Sequence, residues 1–134
     1  MKRRDIDRIG LLLIRDGKIL GARTRGKVTF YLPGGKREPG ESDLETLRRE
    51  IREELGTGIK EDSVRPYKVF RAEADGKPKG TMLTMATLFA ELAGDEHPCS
   101  EIEELGWFSY SEVGRFGKID KLIFNDLYRE GYLK

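Results

Sequence analysis

Residues 34–58 read GGKREPGESDLETLRREIREELGTG, and the fold follows from how this stretch is parsed. Leu44, Leu47, Ile51 and Leu55 recur at helical spacing, which predicts a helix over about Asp43–Leu55 with one stripe turned to a core. Ser42 and Glu45 form a capping box at its start, and Gly56 stands where a left-handed C-cap would end it. Glu50, Glu53 and Glu54, at i, i+3 and i+4, share a second face. Like charges at this spacing each cost roughly 0.2–0.5 kcal/mol, and Arg49 alone does not neutralise three of them. Two readings follow: a solvated face stitched by Glu45–Arg49 and Arg49–Glu53 pairs, or an oxygen-rich site for a hard divalent cation. On the helix alone the solvated face is the simpler one.

Working outward, 134 residues fit one domain over 1–134. Equal shares of hydrophobic and charged residues, 37% each, describe a soluble globular chain with a modest core. No apolar run approaches the roughly 18 residues of a membrane span, and MKRRDIDR leads straight into a strand-like run rather than a signal peptide. A lone cysteine, Cys99, excludes an intramolecular disulfide and fits a reducing cytoplasm. His97 and Cys99 are too few for zinc, so His97-Pro98-Cys99 reads as a loop. Net charge +1 argues against a nucleic-acid partner. The charge is uneven, however: residues 1–40 hold 11 Lys+Arg against 4 Asp+Glu, and the rest hold 14 against 20. Such asymmetry suits either a basic wall facing an acidic one across a cleft or a basic tail at Lys2, Arg3 and Arg4.

Ile9 to Ile14 is nearly continuous apolar, the pattern of a strand buried on both faces. Asp16-Gly17 is a hairpin turn, returning through Lys18–Thr24, with Arg23, Arg25 and Lys27 at or just beyond its end. Thr29–Leu32 reads as a short strand stopped by Pro33. After the helix, Val64–Ala74 and Thr81–Ala93 predict an antiparallel hairpin, with Pro66 marking an irregular or edge start. An acidic cluster, Glu101, Glu103 and Glu104, precedes a short strand at Trp107-Phe108. Ile119, Leu122, Ile123 and Leu127 mark a second amphipathic helix ending near Gly131. The class is α/β (α+β), a mixed sheet between helices on two faces.

Loop and helix read together change the weighing. Gly35, then Glu41, then Arg49-Glu50-Ile51-Arg52-Glu53-Glu54-Leu55-Gly56 resembles the Nudix box, Gx5Ex7REUxEExGU, departing only where Thr57 stands for the final bulky apolar residue. The resemblance, with MutT-like members, implies an α/β/α sandwich and hydrolysis of a nucleoside diphosphate linked to another moiety X. It implies Mg²⁺, or Mn²⁺, held by Glu50, Glu53, Glu54 and the carbonyl of Gly34, since divalent ions neutralise phosphates and activate water. Glu50 would be a ligand or the base. Glu101, placed before Trp107 as a glutamate often is in this family, would be a ligand, the base, or part of a solvated loop. Glu41 would serve as an outer ligand or supporting group, and Arg49 would orient the glutamates. Arg23, Arg25, Lys36 and Arg37 are candidate substrate contacts against surface charge as the alternative. Phe30 is either a base-stacking ring or a core residue.

Small size favours a nucleoside triphosphate substrate, giving nucleoside monophosphate and pyrophosphate. An ADP-ribose or nucleotide-sugar pyrophosphatase is the alternative enzyme; the proline that ADP-ribose members carry past the box would fall near Glu73 and is absent. A nucleotide-binding module without turnover is the third reading, disfavoured because all three box glutamates are present. Many relatives form homodimers, but no stretch here marks an interface.

Overall fold

The computed structural model describes residues 5–134, so the basic tail Lys2–Arg4 lies outside the described residues. Strand β1 (Ile6–Leu12) is followed at once by β2 (Ile14–Arg15), which turns through Asp16-Gly17 into β3 (Lys18–Thr24). Then come β4 (Gly34–Lys36), α1 (Asp43–Leu55), β5 (Ile59–Glu73), β6 (Met82–Leu92) and β7 (Ile102–Phe108). A 3₁₀ helix (Tyr110–Arg115) leads into α2 (Lys118–Arg129).

The strands form two sheets. One is mixed, in the order β4-β1-β6-β5, with β1 parallel to β6 and the other pairs antiparallel. The other, β2-β3-β7, is antiparallel. The apolar run Ile9–Ile14, expected as one strand of a hairpin, instead crosses between sheets at Leu13. Continuous apolarity serves both: Ile9, Leu11 and Leu13 pack with α1 residues Leu47, Ile51 and Leu55, whereas Leu12 joins the α2 residues Ile123, Phe124 and Leu127. Alternation along β1 therefore sends successive side chains to two cores, and the helices cover opposite faces of the mixed sheet as expected.

Helix α1 begins and ends where its sequence says. Ser42 accepts from the Glu45 amide while Glu45 accepts from that of Ser42, and Gly56 adopts φ 71°. Full burial of Leu47, Ile51 and Leu55 contributes roughly 1.5–3 kcal/mol each; a charge at Ile51 would undo it. The 95–99 loop docks on this helix end, its His97 and Cys99 amides donating to the Leu55 and Glu54 carbonyls, which satisfies acceptors a helix terminus leaves open. Thr57 is buried behind the helix, against Gly94.

Other expectations shift. The β5–β6 hairpin forms, with β5 on the sheet edge and register breaks beside Arg65 and Pro66, but β5 starts earlier, at Ile59. Thr29–Leu32 pairs only through single bridges, Tyr31 to Ala22 and Phe30 to Phe116. Glu103 and Glu104 lie within β7 rather than before it. In α2, Leu122 is exposed and Phe124 takes the core position beside Ile123.

Candidate active site

Strand β4 is the edge of the mixed sheet and passes beside the glutamate face of α1. Gly34 meets the helix through its amide, which donates to Glu54 Oε1 at 2.9 Å. At Gly35 a Cβ would lie 2.3 Å from Glu50 Cδ, so the absent side chain is the space the Glu50 carboxylate occupies. The two glycines thus let a backbone edge approach two carboxylates closely.

Arg49 is the hub of this corner. Its guanidinium donates to both oxygens of Glu41 at 2.8 and 2.9 Å, to Glu50 Oε1 at 2.8 Å and to the Lys36 carbonyl at 3.0 Å. Glu53 is more distant, 3.8 Å from Arg49, with its side chain 54% exposed. Glu41 also accepts from the Glu38 amide and the Thr46 hydroxyl. Bonding to Arg49 above all holds its carboxyl down at about 2. With its oxygens so engaged, Glu41 braces the corner.

The carboxylates beside β4 behave oppositely. Burial pushes Glu54 up to about 8, with the Glu50 charge adding to the rise and the Gly34 amide opposing it. Burial also raises Glu50, with Arg49 opposing. Like charges brought together out of water resist joint ionisation, and a cation would relieve both the repulsion and the burial cost. Among the described residues no three acidic, histidine or cysteine side chains converge tightly enough to enclose an ion. Glu50 is turned to Arg49 and Glu54 to the Gly34 amide, and as carboxylates both are oxygen donors of the kind a hard divalent cation takes.

Glu50 and Glu54 open onto a cavity of about 750 Å³, also lined by Gly34, Gly35, Lys36, Glu101 and, at the start of α2, Asp120. Asp120 escaped the sequence reading. It is 3% exposed, and its Oδ1 has no hydrogen-bond partner among the described residues. Burial raises it to about 7, opposed by Arg8 and by a hydrogen bond from the Leu32 backbone. Its one legible signal was an acid within the apolar pattern of a helix, beside Ile119.

The candidate substrate contacts divide. Lys36 lines the cavity. Arg37 is held by Asp7 at 2.8 Å and by Asp43, and Arg23 by Glu103 and Glu104 at 3.1 and 3.0 Å. Arg25 reaches the Ser100 carbonyl instead. These three lie off the cavity, and two of them, Arg23 and Arg37, are ion-paired to acids of their own. Phe30 is corrected to a core residue: it is 1% exposed, packs on Phe108 and Phe116, and has the Arg115 guanidinium 4.8 Å from its ring centre. It touches the cavity without a free face for a base.

Comparison with known proteins bears on the family and the fold. The profile of the NUDIX domain matches residues 3–127. A stretch of 51 residues is 41% identical to an RNA pyrophosphohydrolase from Halorhodospira halophila, covering 37% of this chain and 28% of that one. Another of 38 residues is 56% identical to nucleoside triphosphatase NudI from an Enterobacter species, covering 28% and 27%. The matched stretches therefore span little more than a quarter of either curated relative. Among solved structures, the E. coli ORF135 protein superposes with a TM-score of 0.74 at 24% identity, over 95% of this chain and 91% of that one. A MutT NUDIX hydrolase from Burkholderia pseudomallei gives 0.74 at 21%, over 92% and 98%. These likenesses establish the fold.

Proposed function

The chain belongs to the NUDIX domain family, and from that premise we propose that it hydrolyses a phosphoanhydride in a nucleoside diphosphate linked to X, with a nucleoside triphosphate as substrate. The observation that carries this reading is the polarity of the cavity. Glu50, Glu54 and Glu101 stand among its lining residues with Gly34 and Gly35, and an unpartnered buried carboxyl, Asp120, lines it as well. With a divalent cation to neutralise them, the glutamates would suit a phosphate chain, and the hydrogen-bonding edge of a base suits Asp120. Of the two curated relatives, one is named a nucleoside triphosphatase and the other an RNA pyrophosphohydrolase, which favours a triphosphate over ADP-ribose.

Glu50, Glu53 and Glu54, with the Gly34 carbonyl, would hold Mg²⁺ or Mn²⁺. When bound, the ion neutralises phosphate oxygens, lowers the pKa of water and steadies the leaving group. The reaction consumes one water. Its oxygen bonds to phosphorus, the bridging oxygen departs with the bonding pair as pyrophosphate, and a proton passes to a carboxylate of the cavity, Glu50 or Glu101. Arg49, bonded to Glu41 and Glu50, keeps the helix face and the β4 edge in register; it touches scaffold rather than substrate. The proposed unit is one domain over 1–134, working in the cytoplasm, a compartment that its lone cysteine suits; among the described residues no helix is long and apolar enough to cross a membrane.

The test is a substrate panel with and without Mg²⁺: nucleoside triphosphates, oxidised nucleotides, ADP-ribose, nucleotide sugars and dinucleoside polyphosphates. Monophosphate and pyrophosphate formed from a triphosphate are expected. Turnover confined to ADP-ribose or nucleotide sugars would overturn the substrate assignment, and no turnover with either Mg²⁺ or Mn²⁺ would leave a binding module.

A further inference from the structure

Arg8 stands on β1, between β4 and β6 in the mixed sheet, and lines the cavity. Directly opposite it in the antiparallel register with β4 is Lys36, and opposite it on β6 is Met85. The lining around them includes Ile6, Leu83 and Met85, so two cations stand side by side on a largely apolar floor. Like charges in directly opposed positions repel, and a half-buried guanidinium without a bonded counter-charge is costly. Elsewhere this chain supplies such charges: Arg23, Arg37, Arg48, Arg49 and Arg71 are each ion-paired. Arg8 and Lys36 form no ion pair among the described residues.

Arg8 lines the same cavity as both kinds of acid: Glu50 and Glu54 beside β4, the strand paired with its own, and Asp120 at the start of α2. If phosphates lie by the glutamates and a base by Asp120, the group between them is the phosphoryl nearest the nucleoside. We propose that Arg8, with Lys36 beside it, is the receptor for that proximal phosphoryl group and sets which phosphate reaches the glutamates. The planar guanidinium can grip two phosphate oxygens at once, and the rigid inner strand fixes its position. The inference rests on the nucleotide reading of the cavity.

The two can be tested apart by calorimetric titration of the full chain in EDTA, using AMP, GMP, CMP and UMP and the four matching nucleosides. Arg8→Met should weaken the best-bound monophosphate by about 10- to 100-fold while leaving its nucleoside unchanged. Arg8→Lys should recover part of the loss, since an ammonium restores charge but not the two-pronged contact, and it guards against a poorly folded Arg8→Met. Asp120→Asn should weaken monophosphate and nucleoside alike. Were both Arg8 variants to bind the monophosphate as the wild type does while Asp120→Asn did not, the Arg8 assignment would fall and the cavity reading would stand. A wild-type chain that binds no member of either panel, or an Asp120→Asn chain that binds all as before, would remove both.

Discussion

Replacing Gly35 by alanine should disable the enzyme without unfolding it. The new Cβ would lie 2.3 Å from Glu50 Cδ and 2.4 and 2.5 Å from its oxygens. Ordinary contact begins at 3.4 Å, so the carboxylate must withdraw by about 1 Å, a displacement that can cost on the order of 10²-fold in rate. Gly35 is not among the residues with positive φ, so alanine fits the backbone, and what must yield is the end of a flexible side chain. The expected loss of stability is under about 1 kcal/mol. Gly34→Ala is the contrasting control: Gly34 has φ 142°, and its Cβ would lie 2.0 Å from the Ile9 carbonyl oxygen, where only backbone can move. That variant should lose more than about 2 kcal/mol. The assay is kcat on the best substrate of the panel beside chemical denaturation of each variant. A Gly35→Ala enzyme with wild-type kcat, or one destabilised as much as Gly34→Ala, would refute the idea that this glycine exists to make room for Glu50.

Three further outcomes are expected. Glu53→Gln should lower kcat by on the order of 10²-fold or more with the fold intact, and near-normal turnover at saturating Mg²⁺ would remove Glu53 from the metal set. Glu101→Gln should flatten the acidic limb of the pH–rate profile or weaken metal activation; an unchanged profile would return Glu101 to a solvated loop. Asp120→Asn should change how stability depends on pH. Because burial raises this carboxyl from 3.8 to about 7, its contribution is fully present below pH 3.8 and is lost as pH climbs through about 7. The variant should therefore gain on the wild type progressively over that window, by at most on the order of 4 kcal/mol, and denaturation curves that differ equally at pH 4 and pH 8 would contradict it.

Helix α1 was legible because everything that defines it is local. The apolar period, the Ser42–Glu45 box and the Gly56 cap act over one or two turns, so sequence spacing is already spatial arrangement. The Gly34–Glu41 loop was legible for a related reason: Glu41 and Arg49 are eight residues apart, and their contact is built from a loop and the first turns of the helix it enters. Periodicity could not say that the run breaks at Leu13 into β1 and β2 of different sheets, since a run of apolar residues looks the same whether it faces one core or two.

The fate of the charges was beyond the sequence for a physical reason. A guanidinium is a surface group, a salt bridge or a ligand contact according to which acid the fold brings within reach, and such partners are distant in the chain. Arg23 meets Glu104 across 81 positions, which took it out of the candidate site. Arg8 forms no ion pair among the described residues, and only sheet register sets it beside Lys36. Asp120, one acid in an amphipathic helix, became a candidate binding group only when packing closed over it and left Oδ1 without a partner among the described residues. The amino-acid sequence by itself determined the acidic helix face and the loop that braces it; tertiary structure decided which cations and which further acid share its cavity, because charge partnership and burial are long-range properties.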